Sequence, residues 1–236
     1  MDAYDRIAPV YGELCRPRKA YLAKIEKLIA ARVPKGSQQM LDIGGGNGSR
    51  ALRIARATGI ERVILLEPSA RMRAAADPAC EIWPIRAEDL VERENDTNRE
   101  FDVVTCLWNV FGHIRSGYRL DLLRSVGGYL LPNGLLFMDV HHRYNVREYG
   151  ILRTAARMAC DALVPGGNNG DVTVHWNRGG IQCSTYGHVF TQGEMHLLIQ
   201  ASGLQLVEEI FVNYESGEIR KKKTEGNLFY VLRRKL

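Results

Sequence analysis

The 236-residue sequence lacks the features that mark membrane and secreted proteins. No apolar run approaches the roughly 20 residues that a membrane-spanning helix needs. The first segment, MDAYDRIAPVYGELC, carries acids and tyrosines where a signal peptide has a basic stretch followed by an apolar one. We therefore expect a cytoplasmic protein that does not associate with a membrane.

The cysteines also lack a pattern. Their number is five, and their spacing matches neither a disulfide framework nor a paired zinc site. Each is expected to be a reduced, apolar filler, and no metal site is expected. The sequence also lacks an internal repeat and a low-complexity linker, so a single domain is the natural expectation.

Positive charge is in excess, but only locally. The formal net charge is +5, and the surplus is concentrated in the segment RKKKTEGNLFYVLRRKL near the C-terminus. Such a surplus is consistent with a polyanionic partner, and equally with a solvated sheet edge and loop.

Short apolar segments alternate with helical patterns through most of the chain. The strand-like segments in the first part are MLDI, RVILLEP, EIWPI, FDVVTCLWNV and LLFMDV. Pro84 indicates that the third of these lies at a sheet edge or ends there. The alternation predicts an α/β fold with a doubly wound, mostly parallel seven-stranded sheet and helices on both faces.

The same pattern divides the domain into three parts. We expect an N-terminal helical cap at about 1–36, a core at 37–143 and 190–236, and a β-rich insertion at 144–189, after the fifth strand. Within the insertion, two β-rich runs flank the sequence NRGG, which is typical of a hairpin turn. An insertion of this length is more than a plain connection. It is expected to fold over the strand ends as a lid; a decorated sheet edge is the alternative.

The stretch QMLDIGGGNGSRALRIA places four glycines among five consecutive residues, directly after an apolar strand. Glycine loses much conformational entropy on folding, so a ligand is expected to approach this backbone closely. In open parallel sheets, ligands lie beyond the carboxyl ends of the strands, where this loop lies. A dinucleotide-binding fingerprint would require glycine at the position of Ser49.

The segment DIGGGNG, Asp42 to Gly48, resembles motif I of the class I S-adenosylmethionine-dependent methyltransferases. The resemblance implies S-adenosyl-L-methionine as cofactor and S-adenosyl-L-homocysteine as product. The residues that it assigns to cofactor binding are Tyr11, Asp42, Gly44, Gly45, Gly46, Asn47, Glu67, Pro68, Met72, Ala87, Glu88, Leu107, Trp108 and Asn109.

Glu67 ends the second strand, where that family has an acid. A carboxylate there accepts both ribose hydroxyls at once. Met72 matches a position where relatives lay an apolar side chain on the adenine, a contact that suits a polarizable thioether. For both residues the plainer alternative is structural, a surface acid and a core methionine.

The third cofactor region departs from the family pattern. Relatives often have an acid followed by alanine beneath the adenine, whereas this chain has Arg86 before Ala87. An arginine cannot accept the adenine amino protons. Glu88 or Asp89 is therefore expected to take that role.

On the acceptor side, His113, His141 and His142 are the candidate catalytic bases. If the imidazole that acts is unperturbed, turnover is expected to fall below a pKa near 6.5. Neighbouring side chains alternate in direction, so at most one of His141 and His142 is expected to face the acceptor, with His141 preferred. An acceptor carboxylate would instead need a clamp such as Arg143 or Arg147. Satisfied surface histidines are the alternative.

Six further residues are expected to bind the acceptor, namely Tyr4, Arg143, Tyr144, Trp176, Tyr186 and His188. Tyr4 and Tyr11 belong to the segment YDRIAPVYGEL, which is similar to the lead-in of small-molecule members of the family. Packing of the first helix is the alternative for these two tyrosines.

The expected activity is methyl transfer to an oxygen or nitrogen atom of a small molecule. An RNA-modifying enzyme is the alternative, because YGHVFTQGEM is loosely similar to wobble-uridine tRNA methyltransferases. Aromatic residues do not interleave with the basic run, however, as a nucleic-acid stacking platform would require. A non-catalytic binding module is a third possibility. The sequence leaves the oligomeric state open.

Overall fold

The computed structural model describes residues 3–93 and 99–235. Its central element is a large sheet with a core cluster on each face. None of the helices within the described ranges combines the length and apolar character needed to cross a membrane.

The described part of the chain forms one large sheet and one separate hairpin. The strands are β1 (Gln39–Ile43), β2 (Arg62–Leu66), β3 (Cys80–Trp83), β4 (Phe101–Cys106), β5 (Leu130–Val140), β6 (Asp171–Arg178), β7 (Ile181–His188), β8 (Leu204–Val212), β9 (Ile219–Arg220) and β10 (Asn227–Arg234). The large sheet has the order β3-β2-β1-β4-β5-β10-β8-β9. Its first five strands pair in parallel, and β10 lies antiparallel between β5 and β8.

The predicted α/β fold with a mostly parallel sheet is confirmed, but the sheet has eight strands where seven were predicted. The additional strand is β9, which has two residues and pairs antiparallel with β8. So short a strand carries no alternation that a sequence pattern can reveal. β3 lies at the other sheet edge and ends directly before Pro84, as that proline indicated.

Helices cover both faces of the sheet. They are α1 (Ala3–Ile7), α2 (Tyr11–Cys15), α3 (Lys19–Ala30), α4 (Ser49–Thr58), α5 (Ala70–Ala74), α6 (Leu90–Arg93), α7 (Val110–His113), α8 (Ser116–Tyr129), α9 (Val146–Tyr149), α10 (Ile151–Leu163) and α11 (Gln192–Ser202). Met40 packs with α3 and α4, whereas Leu41 packs with α8 and α11. These neighbours in β1 point to opposite faces because side chains alternate along a strand.

The insertion after β5 is only partly β-rich. Its second half is the predicted hairpin, in which Gly179 and Gly180 have φ values of 56° and 75° and form the turn between β6 and β7. Two successive positive φ values suit the two-residue turns that join twisted strands. The first half contains α9 and α10, and Thr154 is the buried residue of α10. The function of the insertion as a lid stays a prediction.

A buried hydrogen bond anchors the helical cap to the sheet. Tyr21, Ile25 and Ile29 recur at helical spacing on the buried face of α3. The Tyr21 hydroxyl donates to Oδ2 of Asp139 at 2.6 Å. Tyr21 and Asp139 are 0% and 1% exposed, so water cannot replace either partner.

Replacing Tyr21 by phenylalanine is expected to lower the free energy of unfolding by about 1–3 kcal/mol, because Asp139 loses a donor that water cannot supply. Urea unfolding followed by circular dichroism measures this change. Tyr118→Phe is the matched control, since that side chain is 51% exposed. Equal stability of the Tyr21 variant and the control would contradict the anchoring role.

Candidate active site

A cavity of about 680 Å³ lies beyond the carboxyl ends of β1 to β5, where parallel strands meet at one sheet edge. Small-molecule sites usually span about 300–1,000 Å³. The sequence-predicted residues that line it are Tyr4, Tyr11, Gly44, Gly46, Glu67, Pro68, Met72, Ala87, Glu88, Leu107, Trp108, Asn109, His113, His141, Trp176 and Tyr186.

The glycine loop forms the floor of the cavity. Gly44 and Gly46 have φ values of 68° and 58°, a region that strains residues with a side chain. A β-carbon on Gly44 would lie 2.7 Å from the side chain of Val110. A β-carbon on Gly46 would meet only a ring carbon of Tyr11 at 4.0 Å, so the space above this residue is open. The bare backbone therefore faces the cavity at Gly46.

Glu67 holds the glycine loop against the turn after β2. Its Oε2 accepts the Gly46 N–H at 2.9 Å, and its Oε1 accepts the Ser69 N–H at 2.8 Å. Burial raises the pKa of the Glu67 carboxyl, and these two N–H groups oppose the shift. Each oxygen keeps a further lone pair, so the carboxylate can accept from a ligand while it holds the loop.

Asp42 lies behind the loop and outside the cavity lining. Its Oδ1 accepts the hydroxyl of Thr105 at 2.6 Å. Its buried Oδ2 has no hydrogen-bond partner among the described residues, and Nη2 of Arg50 is 3.9 Å away. Burial raises the pKa of this carboxyl. The loop thus covers a carboxylate oxygen that is not fully satisfied.

Gly45 and Asn47 support the loop and do not line the cavity. A β-carbon on Gly45 would lie 2.8 Å from Leu65, so the chain packs tightly there. Oδ1 of Asn47 accepts the Ser49 N–H at 3.2 Å, at the start of α4. The predicted direct cofactor contact of Gly45 and Asn47 is therefore not supported. A β-carbon on Gly45 would face the protein interior, and the Asn47 side chain faces the start of α4.

The helix after β2, α5, supplies Met72 to the lining, and the segment after β3 supplies Ala87 and Glu88; Met72 and Ala87 are buried. The Asp89 carboxylate accepts the Arg86 N–H at 3.2 Å and stabilises the 3₁₀ turn Ala87–Asp89. Of the two acids that the sequence offered here, the structure places Glu88 at the cavity.

The chain turns sharply after β4. Trp108 and Asn109 have φ values of 60° and 58°, which non-glycine residues adopt rarely and at an energetic cost. Asp139 stabilises this turn, because its Oδ1 accepts the Trp108 N–H at 2.6 Å and its carbonyl accepts the Asn109 N–H at 3.2 Å. In turn, Oδ1 of Asn109 accepts the His141 N–H at 2.9 Å. The turn therefore positions His141 at the cavity.

His113 and His141 are the two predicted histidines that line the cavity. Nδ1 of His113 lies 2.6 Å from the carbonyl oxygen of Tyr186. Because a carbonyl only accepts, Nδ1 carries the proton and Nε2 is the acceptor of this ring. Burial lowers the pKa of His113. Burial, with smaller contributions from His113 and Arg18, lowers the pKa of His141 to about 4, so the condition of an unperturbed imidazole does not apply to this residue.

His142 lies outside the cavity lining. It is 2% exposed, and its ring centroid is 5.9 Å from Tyr144 and 6.4 Å from Phe211. The expectation that one of two neighbouring histidines faces the site therefore holds for His141, and the candidacy of His142 as a base is not supported. Alternation of side chains at the end of β5 is the reason.

Arg143 and Tyr144, which were expected to bind the acceptor, instead bind Asp161 of α10. The Arg143 guanidinium donates to both carboxylate oxygens at 2.7 Å, and the Tyr144 hydroxyl donates to Oδ2 at 2.7 Å. Arg147 pairs with Glu225 at 3.4 Å. These side chains hold the insertion to the core, and none of them lines the cavity.

The hairpin supplies Trp176 and Tyr186 to the cavity wall, as predicted, but not His188. The His188 ring is fully buried, with Nδ1 at 2.6 Å from Asp171 and Nε2 at 3.0 Å from Glu194. Because Glu194 belongs to α11, His188 ties the hairpin to the core and is not free to contact an acceptor.

Several lining residues were not predicted, and three of them carry polar groups beside the histidines. Arg18 lies over the ring of Tyr214 at 4.2 Å, and Arg115 lies over Tyr186 at 5.7 Å. Tyr214 is 4.7 Å from His141 between ring centroids and accepts the Trp108 indole N–H at 2.8 Å. Its position just after β8, which runs in the same direction as β5, was a usable signal.

Comparison with known proteins agrees with this geometry. A family profile described as a methyltransferase domain matches residues 12–209. The chain belongs to the S-adenosylmethionine-dependent methyltransferase family. A comparison of this sequence with curated proteins found no match.

Solved methyltransferase structures share the fold over nearly the whole chain. The CcbJ methyltransferase from Streptomyces caelestis has a TM-score of 0.71 at 19% identity and covers 99% of this chain and 98% of its own. An S-adenosylmethionine-dependent methyltransferase from Clostridium acetobutylicum has a TM-score of 0.65 at 14% identity and 99% coverage of both chains. The 1,6-didemethyltoxoflavin-N1-methyltransferase of Burkholderia thailandensis, with bound S-adenosylhomocysteine, has a TM-score of 0.63 at 13% identity. The match covers 98% of the present chain and 84% of the Burkholderia chain.

The cofactor of this methyltransferase is S-adenosylmethionine, and the residues present fit it. Gly46 leaves open space on the floor of the cavity. Glu67 offers two carboxylate oxygens at the end of β2. Met72 and Ala87 add a buried apolar wall beside Glu88.

The lowered pKa predicts that the His141 imidazole stays neutral down to a pH of about 4 and becomes protonated below it. Imidazole chemical shifts followed by NMR through a pH titration measure this midpoint, and His141→Asn assigns the resonance by removing it. A midpoint near 6.5 would show that burial does not shift this pKa.

Proposed function

We propose that this enzyme transfers the methyl group of S-adenosylmethionine to an oxygen or nitrogen atom of a small-molecule acceptor. The observation that best supports a small acceptor is the enclosure of the cavity. The Cys183 thiol of β7 lies 3.9 Å from the Ala3 carbonyl of α1, and a β-carbon on Gly179 at the hairpin turn would lie 2.8 Å from Val10. The hairpin and the N-terminal segment therefore meet, and the insertion 144–189 acts as a lid over a small acceptor.

Glu67 is proposed to bind the ribose of the cofactor through the lone pairs that the backbone leaves free. Gly44 and Gly46 admit the cofactor close to the backbone, since a side chain on Gly46 would occupy the open space above the loop. Met72 and Ala87 provide the apolar contact with the adenine, and Glu88 is the acid placed to accept from its amino group.

The methyl donor supplies its own leaving group, because the sulfonium carries the methyl for an in-line displacement. The protein supplies proximity, orientation and exclusion of water. Nε2 of His113 is an acceptor nitrogen at the cavity, and Nε2 of His141 is buried without a hydrogen-bond partner among the described residues. Either imidazole, neutral at physiological pH, can take the proton that the acceptor O–H or N–H group releases.

The Burkholderia thailandensis structure contains 1,6-didemethyltoxoflavin together with S-adenosylhomocysteine. A small acceptor therefore binds within this fold in at least one protein that shares its architecture over 98% of the present chain. Such a likeness supports the proposal without identifying the acceptor.

The ribose role of Glu67 predicts weaker cofactor binding in Glu67→Ala, by about 1.5–3 kcal/mol for lost hydrogen bonds to a charged group. Calorimetric titration with S-adenosylhomocysteine measures this loss, and Glu61→Ala, an exposed acid before β2, is the control. The same titration with an analogue lacking the ribose hydroxyls separates ribose binding from loop support. If the variant loses equal affinity for both ligands, Glu67 acts only by holding the loop.

The proposed function is tested with S-adenosylmethionine carrying an isotopically labelled methyl group, offered with a small-metabolite extract or with bulk tRNA. Label is expected in the small-molecule fraction. His113→Asn or His141→Asn is expected to lower turnover by about 10²-fold, the lower end for general base catalysis, because a base of low pKa takes a proton weakly. His196→Asn, a partly exposed histidine on α11, is the control.

Two results of this experiment would contradict the proposal, and a third would contradict only the role of the histidines. Label in the tRNA fraction would favour the RNA-modifying alternative, and salt-sensitive retention of tRNA would accompany it. Cofactor binding without any transfer would favour a binding module. Full activity in both asparagine variants would remove the histidines from the mechanism.

A further inference from the structure

Among the described lining residues, the carboxylates lie at one end of the cavity, together with Arg86. These carboxylates are Glu67 and Glu88, both at the proposed adenosine end. Arg18 and Arg115 lie beside the histidines, because they cover the rings of Tyr214 and Tyr186. The end that receives the acceptor therefore carries positive charge and has no lining carboxylate to balance it.

Arg18 is the half-buried member of this pair, whereas Arg115 is exposed. Within the described ranges, no carboxylate oxygen lies within 4.0 Å of the Arg18 guanidinium. The Arg18 charge acts on the buried acid Glu148. Burial raises the pKa of the Glu148 carboxyl, and the positive charge of Arg18 lowers it. Glu148 lies outside the cavity lining. A guanidinium so placed, with one flat face on an aromatic ring, keeps its N–H donors available to a ligand.

The histidines do not add to this positive charge. Burial lowers the pKa of both His113 and His141, and the Arg18 charge contributes to the lowering at His141. Both rings are therefore neutral at physiological pH, and an anion in this part of the cavity finds its partner in Arg18. Aromatic rings form part of the surrounding wall, since Tyr214 packs against His141 and accepts a hydrogen bond from the Trp108 indole.

We propose that the methyl acceptor is a planar aromatic compound that carries a carboxylate, and that Arg18 binds this carboxylate. The proposal rests on the proposed function, because it assigns the acceptor of the same site. The planar fork of a guanidinium matches the two oxygens of a carboxylate, and aromatic walls suit a flat ring. The positive charge of Arg115, which is exposed at the cavity, attracts the anion towards the cavity.

The test compares acids with amides of the same shape. Anthranilate and anthranilamide form one probe pair, and salicylate and salicylamide form the other. Their dissociation constants are measured with protein saturated by S-adenosylhomocysteine, through quenching of the fluorescence of Trp108 and Trp176, which line the cavity. At least one acid is expected to bind tenfold or more tightly than its amide.

Variants of Arg18 assign the preference to this residue. Arg18→Gln is expected to bring acid and amide within about twofold of each other, and Arg18→Lys to restore part of the preference, because an ammonium keeps the charge without the fork. Arg16→Gln is the matched control, since Arg16 is exposed on the same 3₁₀ turn, Arg16–Arg18, and does not line the cavity. Affinity for S-adenosylhomocysteine is expected to be equal in all of these proteins.

Equal binding of acids and amides by the wild-type protein would overturn the proposal. So would a preference for acids that survives in Arg18→Gln, or the failure of every probe to bind the loaded protein. In each of these cases, intact binding of S-adenosylhomocysteine leaves methyl transfer standing as the proposed function. Loss of that binding in the wild-type protein would instead contradict the proposed function itself.

Discussion

The candidate site depends on one buried carboxylate, Asp139, near the end of β5. Its carboxylate accepts hydrogen bonds from the Tyr21 hydroxyl and the Trp108 N–H, both at 2.6 Å. Burial raises the pKa of Asp139, whereas these two hydrogen bonds lower it. One donor comes from the helical cap and the other from the turn after β4. Because Asn109 in that turn accepts the His141 N–H, the position of a candidate base depends on the same acid. The cost of the positive φ values is offset by these hydrogen bonds.

The walls of the cavity come from segments far apart in the chain. The indole of Trp108 donates to Tyr214, and its ring is 5.6 Å from that of Tyr11. The first helices, the turn after β4 and the segment after β8 therefore share one aromatic cluster. A cofactor-binding loop formed by local sequence is thus joined to an acceptor region formed only by tertiary contacts.

The sequence predicted the parts of the site that short segments determine, and missed the parts that distant partners determine. Glu67 and the glycine loop follow from one strand-loop-helix-strand segment, and both are at the cavity. The direction of Arg143 depends on Asp161, which lies in a helix that the alternating strand pattern did not predict. Arg18 belongs to no motif, since its place over Tyr214 arises from the packing of the cap on the sheet. The two residues of β9 were too few to form a pattern.

The insertion leaves and rejoins the core at one place. The Phe190 N–H donates to the carbonyl of His141 at 2.8 Å, and the Arg143 N–H donates to the carbonyl of Phe190 at 2.8 Å. The two ends are therefore closed by backbone hydrogen bonds that do not involve the side chains between them. An insertion of different length, closed at the same point, loses little additional chain entropy, because the entropy of loop closure grows slowly with loop length. The acceptor wall can therefore diverge in length and sequence during evolution while the cofactor-binding sheet keeps its register.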